Sequence, residues 1–277
     1  MLFKISLAEW SVNEAIFGGK LDHLDFPRFA SRLGIRGVEY VNQFFPDKAQ
    51  DGAYLAEMNR RAGDADVENV LIMVDNEGSL GHSDKIERLT AVENHKKWIE
   101  AARVLGCKTI RVNGYGADGS SPLDSEELKN LVADSLRRLC EFADSFEINV
   151  VIENHGGWSS NGDWLASVIR LADHPRAGTL PDFGNFRIRD GETYDSYRGV
   201  EELMPFARGV SVKPSVFDAH GVRSELDYDR MMRIVLDAGY RGYCGIEHGR
   251  EGTEEEDILS VKNELEAVRE DLTVVYQ

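Results

Sequence analysis

Eight short apolar runs recur along the chain, and amphipathic stretches fill the spaces between them. The runs are LFKISLA from Leu2, IRGVEYV from Ile35, VENVLIMVD from Val67, CKTIRVNG from Cys107, INVVIENHG from Ile148, AGTLPDFGN from Ala177, ARGVSVKPS from Ala207 and YCGIEHG from Tyr243. They are too short for helices and rich in β-branched residues, so they read as strands buried on both faces. Between them, TAVENHKKWIEAARVLG from Thr90 repeats apolar residues at helical spacing and ends in Gly106, suited to a C-cap. SEELKNLVADSLRRLCEFADSF from Ser125 opens with an acidic first turn that favours the helix dipole. DYDRMMRIVLDAGY from Asp227 and EEEDILSVKNELEAVRE from Glu254 have the same character.

A polar residue stands near the end of nearly every strand: Glu39, Asp75, Arg111, Glu153, Asp182, Lys213 and Glu247. Successive members lie 36, 36, 42, 29, 31 and 34 positions apart. A βα unit takes about 30 residues or more, so the chain is one repeating pattern with no linker. Eight such units predict a single (β/α)8 barrel, the TIM barrel, over residues 1–277. A doubly wound open sheet would carry a Gly-rich phosphate turn after its first strand, and LAEWSVNEAIFGGK has none in the right place.

Composition removes several function classes. Acidic residues outnumber basic ones 49 to 32, for a formal charge of −17, which disfavours a nucleic-acid partner. The longest apolar runs are five or six residues, against about 20 for a membrane span. MLFKISLAEW reads as a strand and not as a signal peptide. Cys107, Cys140 and Cys244 are scattered and odd in number, which fits free thiols in a cytoplasmic protein.

In a barrel of this kind the strand ends converge on one mouth. Glu153, Asp182 and Glu247 are then three carboxylates in one low-dielectric site, where only a cation or protons relieve their repulsion. A divalent Mn, Mg, Co or Zn ion suits such oxygen ligands. His155 follows Glu153 by two positions and projects to the same side of the strand, as a substrate contact, a metal ligand or a loop hydrogen bond. Lys213 can neutralise the carboxylates or hold a developing enolate oxygen. Asn185, Arg111 and Asn113 are candidate hydrogen-bonding groups for substrate, and Trp10, Tyr40 and Phe44 candidate pocket walls. His82 is a weak candidate, and His23, His95, His174 and His220 read as surface or loop residues.

The order SLAEWS, GVEYV, IMVDNEG, IENHGG, PDFGN, VKPS, GYRGYCGIEHG resembles the xylose isomerase-like barrels, most closely the sugar phosphate isomerase/epimerase branch. The resemblance implies a metal held by Glu153, Asp182 and Glu247, with Glu153 and Glu247 as the acid/base pair. The family's seventh strand usually reads His-x-Lys-Asp, whereas this chain reads Ser211, Val212, Lys213, Pro214, so its fourth ligand is replaced by serine. The expected activity is isomerisation or epimerisation of a sugar or sugar phosphate through an enediolate. Elimination from a keto-sugar or keto-inositol is the alternative, and a non-catalytic sugar-binding barrel the reading from another class. A phosphodiester-cleaving enzyme needs several more histidines than the strand ends supply. The implied partner is a small carbohydrate, and a homo-oligomer is compatible with the resemblance.

Overall fold

In a computed structural model that describes residues 1–116 and 125–276, eight parallel strands form the barrel. They are β1 (Lys4–Ala8), β2 (Gly37–Val41), β3 (Glu68–Met73), β4 (Thr109–Val112), β5 (Asn149–Glu153), β6 (Ala177–Leu180), β7 (Val210–Val212) and β8 (Tyr243–Ile246). Neighbours pair in sequence order, and β8 returns to β1 with Lys4 opposite Tyr243 and Leu7 opposite Ile246. Single bridges between Thr179 and Ala207 and between Asp182 and Ser211 join β6 to β7 and close the ring. The expected barrel is therefore the observed one.

Helices cover the outside: α1 (Phe26–Arg32), α2 (Gly52–Asp64), α3 (Lys85–Leu105), α4 (Ser125–Asp144), α5 (Gly162–Ala172), α6 (Ser196–Leu203), α7 (Tyr228–Asp237) and α8 (Glu254–Thr273). Gly106 ends α3 at φ 79°, a left-handed conformation in which a Cβ is strained. Asp51, Asp84, Asn161, Asp195 and Asp227 cap α2, α3, α5, α6 and α7 by accepting a bond from a first-turn N–H. No helix among the described residues is long and apolar enough to cross a membrane.

The main core lies between strands and helices and includes Trp98, Phe3, Phe26 and Phe45. A second, smaller cluster fills the barrel interior with Ala8, Val41, Leu71, Met73, Val151 and Leu180. Strand alternation puts residues two apart on one face, so a polar inner face runs upward as Arg111 and Asn113 from β4, Glu153 and His155 from β5, and Ser211 and Lys213 from β7.

Several expectations need correction. Glu39 is not at a mouth-facing strand end but inside β2, fully buried, where Ser6 Oγ donates to it at 2.6 Å. A Cβ on Gly245 would lie 2.4 Å from Glu39 Oε1, so a glycine in β8 makes room for this carboxyl. Tyr40 is core and not pocket wall, because its ring packs among Phe26, Phe45 and His23 on the outer side of β2. His23 and His95, expected at the surface, are buried: His23 pairs with Glu9 at 2.6 Å, and His95 Nδ1 bonds the Ala91 carbonyl at 2.7 Å. The sixth run is a strand only to Leu180, and two small hairpins beyond β6 and β7, Arg187–Arg189 with Glu192–Thr193 and Ser215–Phe217 with Arg223–Glu225, are features that periodicity did not indicate.

Candidate functional site

At the mouth, Glu153 ends β5 with no solvent exposure. Beyond it, Gly156 and Gly157 take positive φ and turn the chain sharply, and Ser159 and Ser160 accept the His155 and Gly156 N–H groups at 3.0 and 2.9 Å. The turn holds His155 on the cavity wall. Asp182 follows β6 and folds the PDFGN segment around itself, as its Oδ1 accepts the Gly184 and Asn185 N–H groups, each at 2.8 Å. That leaves Oδ2 free to meet Ser211 Oγ at 2.7 Å and Lys213 Nζ at 3.0 Å. Glu247 follows β8 and stands 2.5 Å from the same ammonium. Asn154 points elsewhere: its amide donates to the Asp182 carbonyl at 2.9 Å and its Oδ1 accepts the Asp182 N–H, clamping β5 to the β6 exit.

Glu153, Asp182 and Glu247 each offer one oxygen within 4.8 Å of the others, so the three expected carboxylates do converge. His155 is not part of that group, and the Ser211 hydroxyl is already donated to Asp182. The Glu153 environment is the most demanding. Asn185 Nδ2 donates to Oε1 at 3.2 Å. Oε2 stands 2.9 Å from Arg111 Nε, but the N–H does not point along that line and both atoms lack a hydrogen-bond partner. Burial pushes the Glu153 carboxyl up to about 8; Arg111 opposes this, while Glu247 and Asp182 add to it. Burial alone would lower Lys213, yet Asp182, Glu247 and Glu153 hold its pKa above the ordinary lysine value. Three converging carboxylates, one with an oxygen that accepts no hydrogen bond beside its Arg111 ion pair, are a donor set that a divalent cation fits.

A second polar group lies beside the first. Asp75, just beyond β3, accepts Arg111 at 2.6 Å and Asn113 at 2.7 Å. Burial works against its charge, but Arg111 and Asn113 outweigh it and its pKa lies below the usual range. Arg111 thus bridges two carboxylates, and Asn113 reaches Asp75 instead of standing free. A cavity of about 1320 Å³ opens over both groups, with Trp10, Asp75, Tyr115, His155, Trp158 and Glu247 in its wall. Phe44 backs Trp10, with ring centroids 6.0 Å apart, and does not line the cavity itself. Tyr115 and Trp158 escaped the sequence reading. Tyr115 continues the two-residue alternation of Arg111 and Asn113, a signal that was available; Trp158 lies in a turn and had none.

A profile of the family described as xylose isomerase-like TIM barrel matches residues 27–275. The chain belongs to the xylose isomerase-like TIM barrel family. Solved structures share its fold at low identity. The IolI protein with a bound zinc atom is 12% identical, with a TM-score of 0.77 and 99% of each chain covered. The 3-keto-D-glucoside 4-epimerase from E. coli is 17% identical, with a TM-score of 0.68, covering 97% of this chain and 99% of its own. The probable 3-DHS dehydratase from Bacillus anthracis is also 17% identical, with a TM-score of 0.71 and coverage of 95% and 99%. A search of curated protein sequences gives no significant match.

Proposed function

We propose that this barrel is a sugar isomerase or epimerase that removes a proton next to a carbonyl and passes through an enediolate. The observation that carries the reading is a pair of carboxyl groups in one mouth with unlike surroundings. Burial seals Glu153 from water and pushes its carboxyl up to about 8, whereas Glu247 is ion-paired with Lys213 at 2.5 Å. Unlike environments divide two carboxyls into an acid and a base. Glu247 then takes the carbon-bound proton, Glu153 supplies or returns one, and the Lys213 ammonium offsets charge that develops on the substrate oxygens. Glu153, Asp182 and Glu247 would hold a divalent ion, which when bound supplies Lewis-acid polarisation of those oxygens. Arg111 and Asn113 keep Asp75 in place at the wall, and the Trp10 and Trp158 rings offer apolar faces to a sugar. The similar epimerase and zinc-bound barrels support the reading by analogy of fold.

Deuterium uptake tests it. In D2O, with Mn²⁺ or Mg²⁺ supplied, a panel of ketoses, aldoses and 3-keto-glycosides should include one that gains deuterium next to its carbonyl. Glu153→Gln should slow that exchange at least 100-fold, the range general acid–base groups usually supply. Exchange unaffected by the substitution would remove Glu153 from the chemistry. Elimination is the second reading, favoured by His155 on the cavity wall and by the similar dehydratase; it would appear as loss of water from the substrate.

A further inference from the structure

Tyr115 and His155 meet on the cavity wall in a way that assigns the histidine's proton. The Tyr115 hydroxyl lies 2.7 Å from the His155 carbonyl oxygen and also touches the His155 ring at Nδ1. A phenol has one proton to donate, and a carbonyl oxygen has none. The hydroxyl proton therefore goes to the carbonyl, and the contact with Nδ1 is made only if Nδ1 carries the hydrogen and donates it to the phenol oxygen. Ring nitrogen Nε2 has no partner among the described residues and is not a sealed atom.

We propose that Tyr115 is a positioning residue that holds His155 as the Nδ1–H tautomer and leaves a bare Nε2 open to the cavity, where it accepts a proton from a substrate hydroxyl. The chemical role rests on the isomerase reading above. In an isomerisation, Nε2 takes the proton of the hydroxyl beside the carbonyl while a carboxylate takes the C–H proton of the same carbon; the C–H electron pair forms the C=C bond and the carbonyl π pair moves onto its oxygen. The imidazolium returns its proton to the former carbonyl oxygen, the other oxygen's electron pair forms the new C=O bond, and the C=C pair takes the carboxylic acid's proton at the former carbonyl carbon, so no oxidant or co-reactant is needed. An eliminating enzyme that used His155 to protonate a leaving group would need the opposite, a proton on Nε2.

The test is a long-range ¹H–¹⁵N spectrum of the full-length protein labelled at histidine, near neutral pH. His155 is assigned by the signal lost in His155→Gln, or by the signal that moves in Tyr115→Phe should the first variant fail to fold. The expected spectrum has a protonated Nδ1 and an unprotonated Nε2, and Tyr115→Phe changes the tautomer ratio at least tenfold toward Nε2–H. A wild-type ring protonated at Nε2, or a ratio unmoved by Tyr115→Phe, overturns the proposal. A protonated Nδ1 in a protein that exchanges no sugar proton would uphold the tautomer and overturn the isomerase reading.

Discussion

Lys213 occupies the place that decides how this site manages charge. Its ammonium touches Asp182 and Glu247, two of the three carboxylates that would hold a cation, beside the Ser211 hydroxyl. Removing one partner of a buried ion pair leaves the other uncompensated and costs about 3–5 kcal/mol. Lys213→Met should therefore lose about 3 kcal/mol of stability in chelator, and added Mn²⁺ should recover part of it; a melting temperature indifferent to both changes would show that Lys213 is not the counter-charge. Ser211→His supplies an imidazole in place of a hydroxyl already committed to Asp182, so Mn²⁺ affinity measured by calorimetry should rise at least tenfold. At this scale the sequence identified the residues but not their pairings. Arg111 and Asn113 read as substrate donors, whereas both hold Asp75, because the register of β3 against β4 brings that carboxylate between them.

At the scale of elements, local chemistry set the boundaries. The α5 helix begins where Asn161 Oδ1 accepts the Trp164 N–H at 3.0 Å, directly after the turn that carries His155. Asn161→Ala should cost about 1 kcal/mol in urea unfolding with an unchanged m-value. A loss below a few tenths would mean that packing of the α5 core face alone holds the helix start. Helix periodicity and the Gly106 stop were readable because each depends on residues within a few positions. The hairpins after β6 and β7 were not, since strands of two or three residues are too short to show alternation.

Across the whole molecule, two buried carboxyls make stability depend on pH. Burial raises Glu39 to about 7, against the Ser6 hydrogen bond and with help from Glu247, and Glu153 rises to about 8. Between their unfolded value of 4.5 and these folded values the native state binds the proton more tightly, so stability falls as pH rises through that window. For Glu39 the window is worth on the order of 3 kcal/mol. In chelator, Glu39→Gln should stabilise the protein relative to wild type more at pH 8 than at pH 5, by about that amount; an equal effect at both would place the titration elsewhere. Glu39 and Gly245 come from strands far apart in sequence, and only barrel closure reveals that the glycine's missing side chain is where the carboxyl sits.

The amino-acid sequence by itself determined the barrel, because eight strand-and-helix units of nearly constant length leave few ways to bury eight apolar runs. It also located the three carboxylates, since polar groups at the ends of buried strands have one common mouth to enter. Tertiary structure alone decided which charges neutralise one another, that His23 and His95 are buried, and that Tyr115 grips His155. Those outcomes depend on distances of a few ångströms between residues 14 to 40 positions apart or on burial by other elements, and neither period nor composition encodes them.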